Sequence, residues 1–411
     1  MSTTEAFRRL RDSIRREAEA RGVTAYLVGG TVRDFLRRRV PRDLDVAIEG
    51  DAVAFARAWA AREGGSLASA SAFGTATVTV ARKPRPVRVD FSSTRGETYR
   101  HPGALPDVFA AGIQADLARR DFTVNAMAIA LTGPFSGAVL DPYGGREDLR
   151  RGIIRMLHPG SPHDDPTRAF RAVRFALRLD FRLAPETRRW IRDAGSAGAD
   201  RAVSGDRLRR ELFLLFDEQP PSVAVAALAA LDLHRAIDAA LAPTAAVRRR
   251  LQRLSRMTVG IPMETRRWAA LFAWCLDVSP EERKRVGGRL AIEGERLTAL
   301  LRAPDDRRRL VGLLTRHARP SEVGALSRSW PEEEVLAVAS ALSPDRRERF
   351  ARARRRAASV RLGIGGEDLT RSGLAPGPAI GRALERTWRA RVDGRIRRAE
   401  ELDFAVREGL Q

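Results

Sequence analysis

The order in which periodicities occur constrains this chain more than any other feature. Up to Asp141-Pro142, strand-like and helix-like segments alternate; from about Thr167 onward only helical periodicity remains. Thr24–Val28 (TAYLV) is a short apolar run ending at the turn signal Gly29-Gly30, and Thr31–Arg39 then carries a helical pattern. Leu44–Ile48 reads as a strand after the Pro41–Asp43 turn, and Asp51–Arg62 as a helix. Ala76–Ala81 and Val87–Phe91, rich in β-branched residues, predict two more strands. Gly96, Pro102, Gly103 and Pro106 predict an irregular, mobile loop over residues 92–115. Breaks at Pro220-Pro221, Pro243, Pro320 and Pro344 divide a helical remainder longer than the part before it. The fold class is α+β, with a mixed sheet at the front and helices behind.

Composition narrows the partners. A chain of 411 residues allows two to four domains at about 100–200 residues each. Against 52 acidic residues stand 74 basic ones, a net charge of +22 that points to a polyanion, most simply nucleic acid. Only Lys83 and Lys284 are lysines, so compositional bias explains the choice of arginine but not the missing acids. No stretch approaches about 18 uncharged apolar residues, which excludes a membrane-spanning helix. Residues 1–21 lack the apolar core of a secretory signal and predict a polar amphipathic helix. The single cysteine, Cys275, excludes a disulfide framework and a thiolate metal cluster, and fits a reducing cytoplasm.

Leu27–Val46 reads LVGGTVRDFLRRRVPRDLDV. Glycines between a strand and a helix allow close backbone approach, and the free N–H groups of that helix can cradle phosphate oxygens. Arg33 stands in the first turn, in reach of the same phosphates. Asp43 and Asp45, two apart at a strand start, project from one face, which suits Mg²⁺ completed by nucleotide phosphates. Alone, a GG turn or a D-x-D pair is common in solvated turns; their combination around Arg33 is specific. This stretch resembles the first motif of the nucleotidyltransferases related to DNA polymerase β. More narrowly, it resembles class II CCA-adding tRNA nucleotidyltransferases and the bacterial poly(A) polymerases that share their head domain. The resemblance implies that Asp43 and Asp45 are the catalytic, metal-binding carboxylates and that Gly30 and Arg33 hold the triphosphate. Asp90, in VRVDF, is the candidate third carboxylate by position, although a strand-end aspartate is more often structural.

Two further segments extend the resemblance. Asp116–Ala128 (DLARRDFTVNAMA) matches the family's second motif, which implies that Arg120 contacts the nucleotide. Asp121 and Asn125 are expected to fix the local loop through side-chain to backbone bonds. His163–Phe181 (HDDPTRAFRAVRFALRLDF) reads first as a helix capped by Asp165, with Pro166 at its first position and Arg168, Arg171 and Arg174 along one stripe. It also resembles the family's base-reading motif. A carboxylate accepting from an exocyclic amine, beside a guanidinium donating to a ring nitrogen, accepts cytosine and adenine and mismatches uracil and guanine. Asp165 and Arg168 are that pair by resemblance, with Arg171 and Arg174 as further nucleotide contacts. Asp164 stands where the family usually has Glu, one methylene shorter.

Residues 203–212 (VSGDRLRREL) resemble the family's neck helix, and residues 362–402 its C-terminal segment, where Pro376-Gly377-Pro378 turns into a helix able to meet an RNA phosphate. The resemblance implies a polymerase β-like head over 1–155, a base-reading neck over 156–220, a helical body over 221–345 and an RNA-binding tail over 346–411. None of the five histidines makes a His-Asp doublet at metal spacing outside the base-reading motif. The expected activity is addition of C and A from CTP and ATP to the 3′ end of tRNA, with Mg²⁺ as cofactor. Arg95, Glu97 and Tyr99 stand in a full-length segment between the first two motifs, against the shortened one the resemblance attributes to CC-only enzymes. A-only addition and poly(A) synthesis stay open. A catalytically silent tRNA-binding protein is disfavoured by the intact Asp43/Asp45 pair, and a small-molecule acceptor by the long basic helical remainder.

Overall fold

The computed structural model describes residues 3–410 apart from Arg42, 72–73, 83–85, Pro102 and Leu105. Arg42 of the first motif, Lys83 and the Pro102 turn signal therefore lie outside the described residues. The chain divides into two compact units, Met1–Leu214 with Ala230–Ala236, and Leu215–Ala229 with Ile237–Gln411.

The first unit is built on a seven-stranded sheet. Its strands are β1 (Thr24–Val28), β2 (Leu44–Glu49), β3 (Ser66–Ser71), β4 (Thr75–Val80), β5 (Val87–Ser93), β8 (Ala128–Ala130) and β9 (Val139–Leu140), in the order β3-β4-β5-β2-β1-β8-β9. Only β2 and β5 pair in parallel; the other neighbours are antiparallel. Helices α1 (Thr3–Arg21), α2 (Gly29–Leu36) and α3 (Ala52–Glu63) intervene, α3 capped by the Asp51 carboxylate on the amides of Val53 and Ala54. Alternation along β2 and β5 sends Leu44, Val46, Ile48, Val87, Val89 and Phe91 into the core, where Phe91 meets Phe55 and Trp59. The intervening residues must then face the other way. Asp45 and Asp90 are two of them, and the parallel register sets them side by side.

The loop expectation for residues 92–115 needs correction. The segment contains a two-stranded hairpin, β6 (Arg95–Thr98) with β7 (Asp107–Ala110), and Ile113 opens helix α4 (Ile113–Ala118). Gly96 permits the hairpin, because a Cβ there would overlap the Phe109 ring on the facing strand. The helix expected from Thr31 instead starts at Gly29, which puts both glycines in its first turn. Strand structure also continues past Thr167: Arg182–Leu183 pairs in parallel with Ile153–Ile154.

The second unit is helical throughout its described residues. Pro221, Pro320 and Pro344 open helices there, as proline at a first helical position allows, and Pro304 is accommodated within Gly294–Thr315. Its main core gathers Leu276, Leu310, Leu314, Trp330, Val338 and Phe350, and a smaller cluster unites Leu369, Leu374, Ala383 and Ala405 near the C-terminus. No described helix is long and apolar enough to cross a membrane.

Candidate active site

The polar face of the sheet floors a cleft of about 780 Å³ within the first unit. On its floor, Asp45 of β2 lies beside Asp90 of β5, and Thr77 of β4 donates to Oδ1 of Asp90 at 2.5 Å. Arg88 holds the same oxygen at 3.0 Å. Thr31 braces the other edge: its hydroxyl accepts from the Asp45 amide at 2.7 Å and donates to the Asp43 carbonyl at 3.2 Å. Burial pushes the Asp45 carboxyl above the usual carboxylate range; the Arg120 charge opposes this, and Asp90 and Asp43 add to it. Asp43, half-buried at the entrance to β2, is felt there but is not part of the cleft wall.

Gly29 and Gly30 enter the cleft where α2 begins. Gly29 is the demanding position: its φ is +60°, and a Cβ would lie 2.8 Å from Nη1 of Arg120. At Gly30 a Cβ would stand 3.4 Å from both Asp45 and Arg33, an ordinary contact. The expectation had emphasised Gly30; the structural constraint is stronger one residue earlier.

The arginines of the walls are wired together by acids and one amide. Asp116, fully buried, takes Arg119 on Oδ1 and Arg120 on Oδ2, at 2.6 and 2.8 Å. Burial alone would raise its pKa, but the Arg120 and Arg119 charges outweigh it and hold the carboxyl below its usual range. Buried Arg33 donates to Oδ1 of Asn125 at 2.7 Å, and Asn125 donates to Asp121 at 3.0 Å. Asp121 in turn receives Arg171 at 2.5 Å. Asp121 and Asn125 thus do more than the local bonding expected of them: besides the Phe122 amide, they connect guanidiniums from the first and third motifs. Four guanidiniums, Arg33, Arg171, Arg174 and Arg178, lie 4.6–5.6 Å from the Phe175 ring centre. Arg178 lines the cleft; Arg174, expected to do so, instead approaches Glu211 at 3.4 Å.

The expected base-reading pair forms one end of the cleft. Asp165 accepts from the Thr167 amide at 3.0 Å, the bond expected of a cap that precedes Pro166, although regular helix begins only at Thr167. Arg168 is not paired with it. Its guanidinium donates to the Ser161 hydroxyl at 2.8 Å and the Arg119 carbonyl at 2.7 Å, which leaves it braced and not neutralised. Tyr99, hydrogen-bonded to Glu97, lies against it with a phenol pushed up to about 12 by burial, which the Arg168 charge only partly offsets. Asp164 faces His158 at 3.8 Å, outside the cleft wall.

The donor set suits a hard divalent cation: the half-buried Asp45 carboxylate has its proton affinity raised by burial, and the charges of Asp90 and Asp43 add to the rise. Among the described residues no group of three or more His, Cys, Asp or Glu side chains converges as a metal cage. A cation on Asp45 and its neighbour would therefore complete its shell with water or phosphate oxygens, as Mg²⁺ does. Thr77 and Arg88 both donate to Oδ1 of Asp90, so Oδ2 is the oxygen it could offer a cation.

Residues 25–155 match the poly A polymerase head domain. The CC-adding tRNA nucleotidyltransferase of Deinococcus radiodurans is 32% identical over 395 residues, 93% of this chain and 89% of that protein. The chain belongs to the tRNA nucleotidyltransferase family. The A-adding tRNA nucleotidyltransferase of Geobacter sulfurreducens is also 32% identical, over 398 residues, 93% of this chain but 45% of that protein. The chain thus spans less than half the length of the A-adding relatives it matches. A solved CCA-adding enzyme in complex with CTP has the same fold over 99% of this chain and 96% of its own, with a TM-score of 0.83 at 29% identity. That enzyme and this chain thus share the fold of the head and of the helical remainder.

Proposed function

We propose that this chain rebuilds the 3′ end of tRNA, adding C and A from CTP and ATP with release of pyrophosphate. The observation that carries the reading is one cleft in which the half-buried Asp45 carboxylate, its proton affinity raised, faces arginines wired by Asp116, Asn125 and Asp121. Asp43 and Asp45 hold Mg²⁺, with Asp90 setting the field beside them. When bound, the cation offsets the triphosphate charge and makes the terminal hydroxyl of the RNA easier to deprotonate. The hydroxyl oxygen bonds to the α-phosphorus and the bond to the bridging oxygen of pyrophosphate breaks. Gly30, Arg33 and Arg120 hold the phosphates; fixed guanidiniums need no reorganisation as charge moves to the leaving group. Asp165 and Arg168 read the base, supported by Arg171 and Arg174, and uracil or guanine leaves both facing the wrong group. The head, 1–155, does the chemistry; the neck, 156–220, selects the base; the body, 221–345, and tail, 346–411, supply a basic track for the acceptor arm.

A-only addition is the second reading, favoured by the A-adding relative from Geobacter sulfurreducens. Purified protein given tRNAs ending before CCA, after C and after CC, with CTP and ATP supplied separately, separates the two. Incorporation of C on the first is expected. Extension only of the third, by A, establishes A-only addition, and extension of none with Mg²⁺ present refutes the proposal.

A further inference from the structure

Asp165 is held in place by a residue outside the motif that contains it. Its Oδ1 accepts from the Thr167 amide at 3.0 Å, the Thr167 hydroxyl at 2.7 Å and Nη2 of Arg207 at 2.8 Å. Arg207 lies 42 positions further along the chain, on the helix Gly205–Glu218. The same guanidinium donates through Nη1 to the Gly103 carbonyl at 3.2 Å. Gly103 is itself pinned: its amide donates to the Asp164 carbonyl at 3.3 Å, and its φ is +73°. A Cβ at that position would lie 2.8 Å from the Cβ of Ala202. One planar cation therefore ties the segment at Gly103 to the carboxylate beside it. Among the described residues the other oxygen of Asp165 accepts nothing. Saturating one oxygen with three donors stops the carboxylate from turning, so its second oxygen is presented in a fixed direction.

We infer that Arg207 is a positioning residue for base selection, acting through the orientation of Asp165; the inference rests on the nucleotidyltransferase reading. Cytosine and adenine offer an amine donor beside an acceptor nitrogen, which a fixed carboxylate and Arg168 satisfy together. Uracil and guanine offer a carbonyl beside an N–H. A fixed carboxylate repels that carbonyl, whereas one free to swing can accept from the N–H. Lysine at position 207 would keep a charge near Asp165 but lacks the fork that also reaches Gly103.

The test compares wild type, Arg207→Gln and Arg207→Lys in kcat/KM for CTP, ATP, UTP and GTP on tRNA, together with CTP and UTP affinity measured without tRNA and thermal melting. In Arg207→Gln, selectivity for CTP over UTP is expected to fall by about tenfold or more, chiefly through a lower KM for UTP. Arg207→Lys is expected to be intermediate. Combined with Asp165→Asn, Arg207→Gln should cost no further selectivity. Unchanged selectivity, or an equal loss for all four nucleotides, would overturn the inference. The affinity arm separates the two readings: a wild type that extends no tRNA yet binds CTP over UTP, with that preference unchanged in Arg207→Gln, refutes both.

Discussion

Two pairs of buried acids, one pair in each unit, are treated in opposite ways. In the cleft, Asp116 has one guanidinium for each oxygen, and Asp121 has Arg171 and the Asn125 amide; both carboxyls are held below their usual range despite burial. In the helical unit, Asp306 and Glu334 are just as hidden, with side-chain exposures of 3% and 0%, but share Arg302. Arg309, at 3.8 Å from Asp306, is largely exposed. Burial dominates there: it pushes Glu334 from its ordinary 4.5 up to about 7, with Arg302 opposing and the Asp306 charge adding to the rise. Burial acts in the same direction in both places, so the number of guanidiniums per carboxylate decides the outcome. Asp45 belongs with the raised group although it sits among the cleft arginines. On the proposed reading, Asp45 is the acid left short of positive charge because that is where the cation would bind.

The comparison can be broken most forcefully at Asp116. Asp116→Asn leaves the half-buried Arg120 without its counter-ion and Arg119 with Glu97 alone, and is expected to cost about 3 kcal/mol by denaturant unfolding; a loss within experimental error would mean that the pairing is not structural. Glu334→Gln should do the reverse, by an amount that depends on pH. Because the folded pKa lies above the unfolded one, the folded chain keeps an extra proton between about 4.5 and 7, and stability falls as pH rises across that window. The stability of Glu334→Gln relative to wild type should therefore climb by about 1 kcal/mol or more from pH 5 to pH 8. A difference independent of pH would show that the pair does not hold the proton. The smallest effect is expected for Asp45→Asn without divalent cation: a slightly raised melting temperature, since a disfavoured charge is removed. Mg²⁺ should then stabilise the wild type and leave this variant unmoved.

What the sequence made legible follows the same division. Strands β1, β2, β4 and β5 carry apolar or β-branched runs and were readable to within a residue or two at most ends. Strand β3, SLASAS, has no such signal; serine and alanine form a strand there because β4 offers an edge to pair with. The β6–β7 hairpin was obscured because Gly96, Pro102, Gly103 and Pro106 interrupt the segment. Carboxylates and arginines in short motifs could be found one by one, but not who pairs with whom. The bonds Arg33–Asn125, Asp121–Arg171 and Asp165–Arg207 span 92, 50 and 42 positions, and no local pattern encodes them. Periodicity likewise could not show that Arg174 turns to Glu211 while Arg178, one helical turn on, lines the cleft.

The central claim is that the Asp45 carboxylate drives nucleotidyl transfer in this cleft. Single-turnover incorporation of labelled CTP and ATP into tRNA lacking its 3′ nucleotides, by wild type and Asp45→Asn at matched folded fraction, tests it most directly. The wild type is predicted to extend the tRNA, and Asp45→Asn to lose about 10²–10³-fold or more in rate while still binding nucleotide and tRNA. Extension by Asp45→Asn at the wild-type rate would contradict the account.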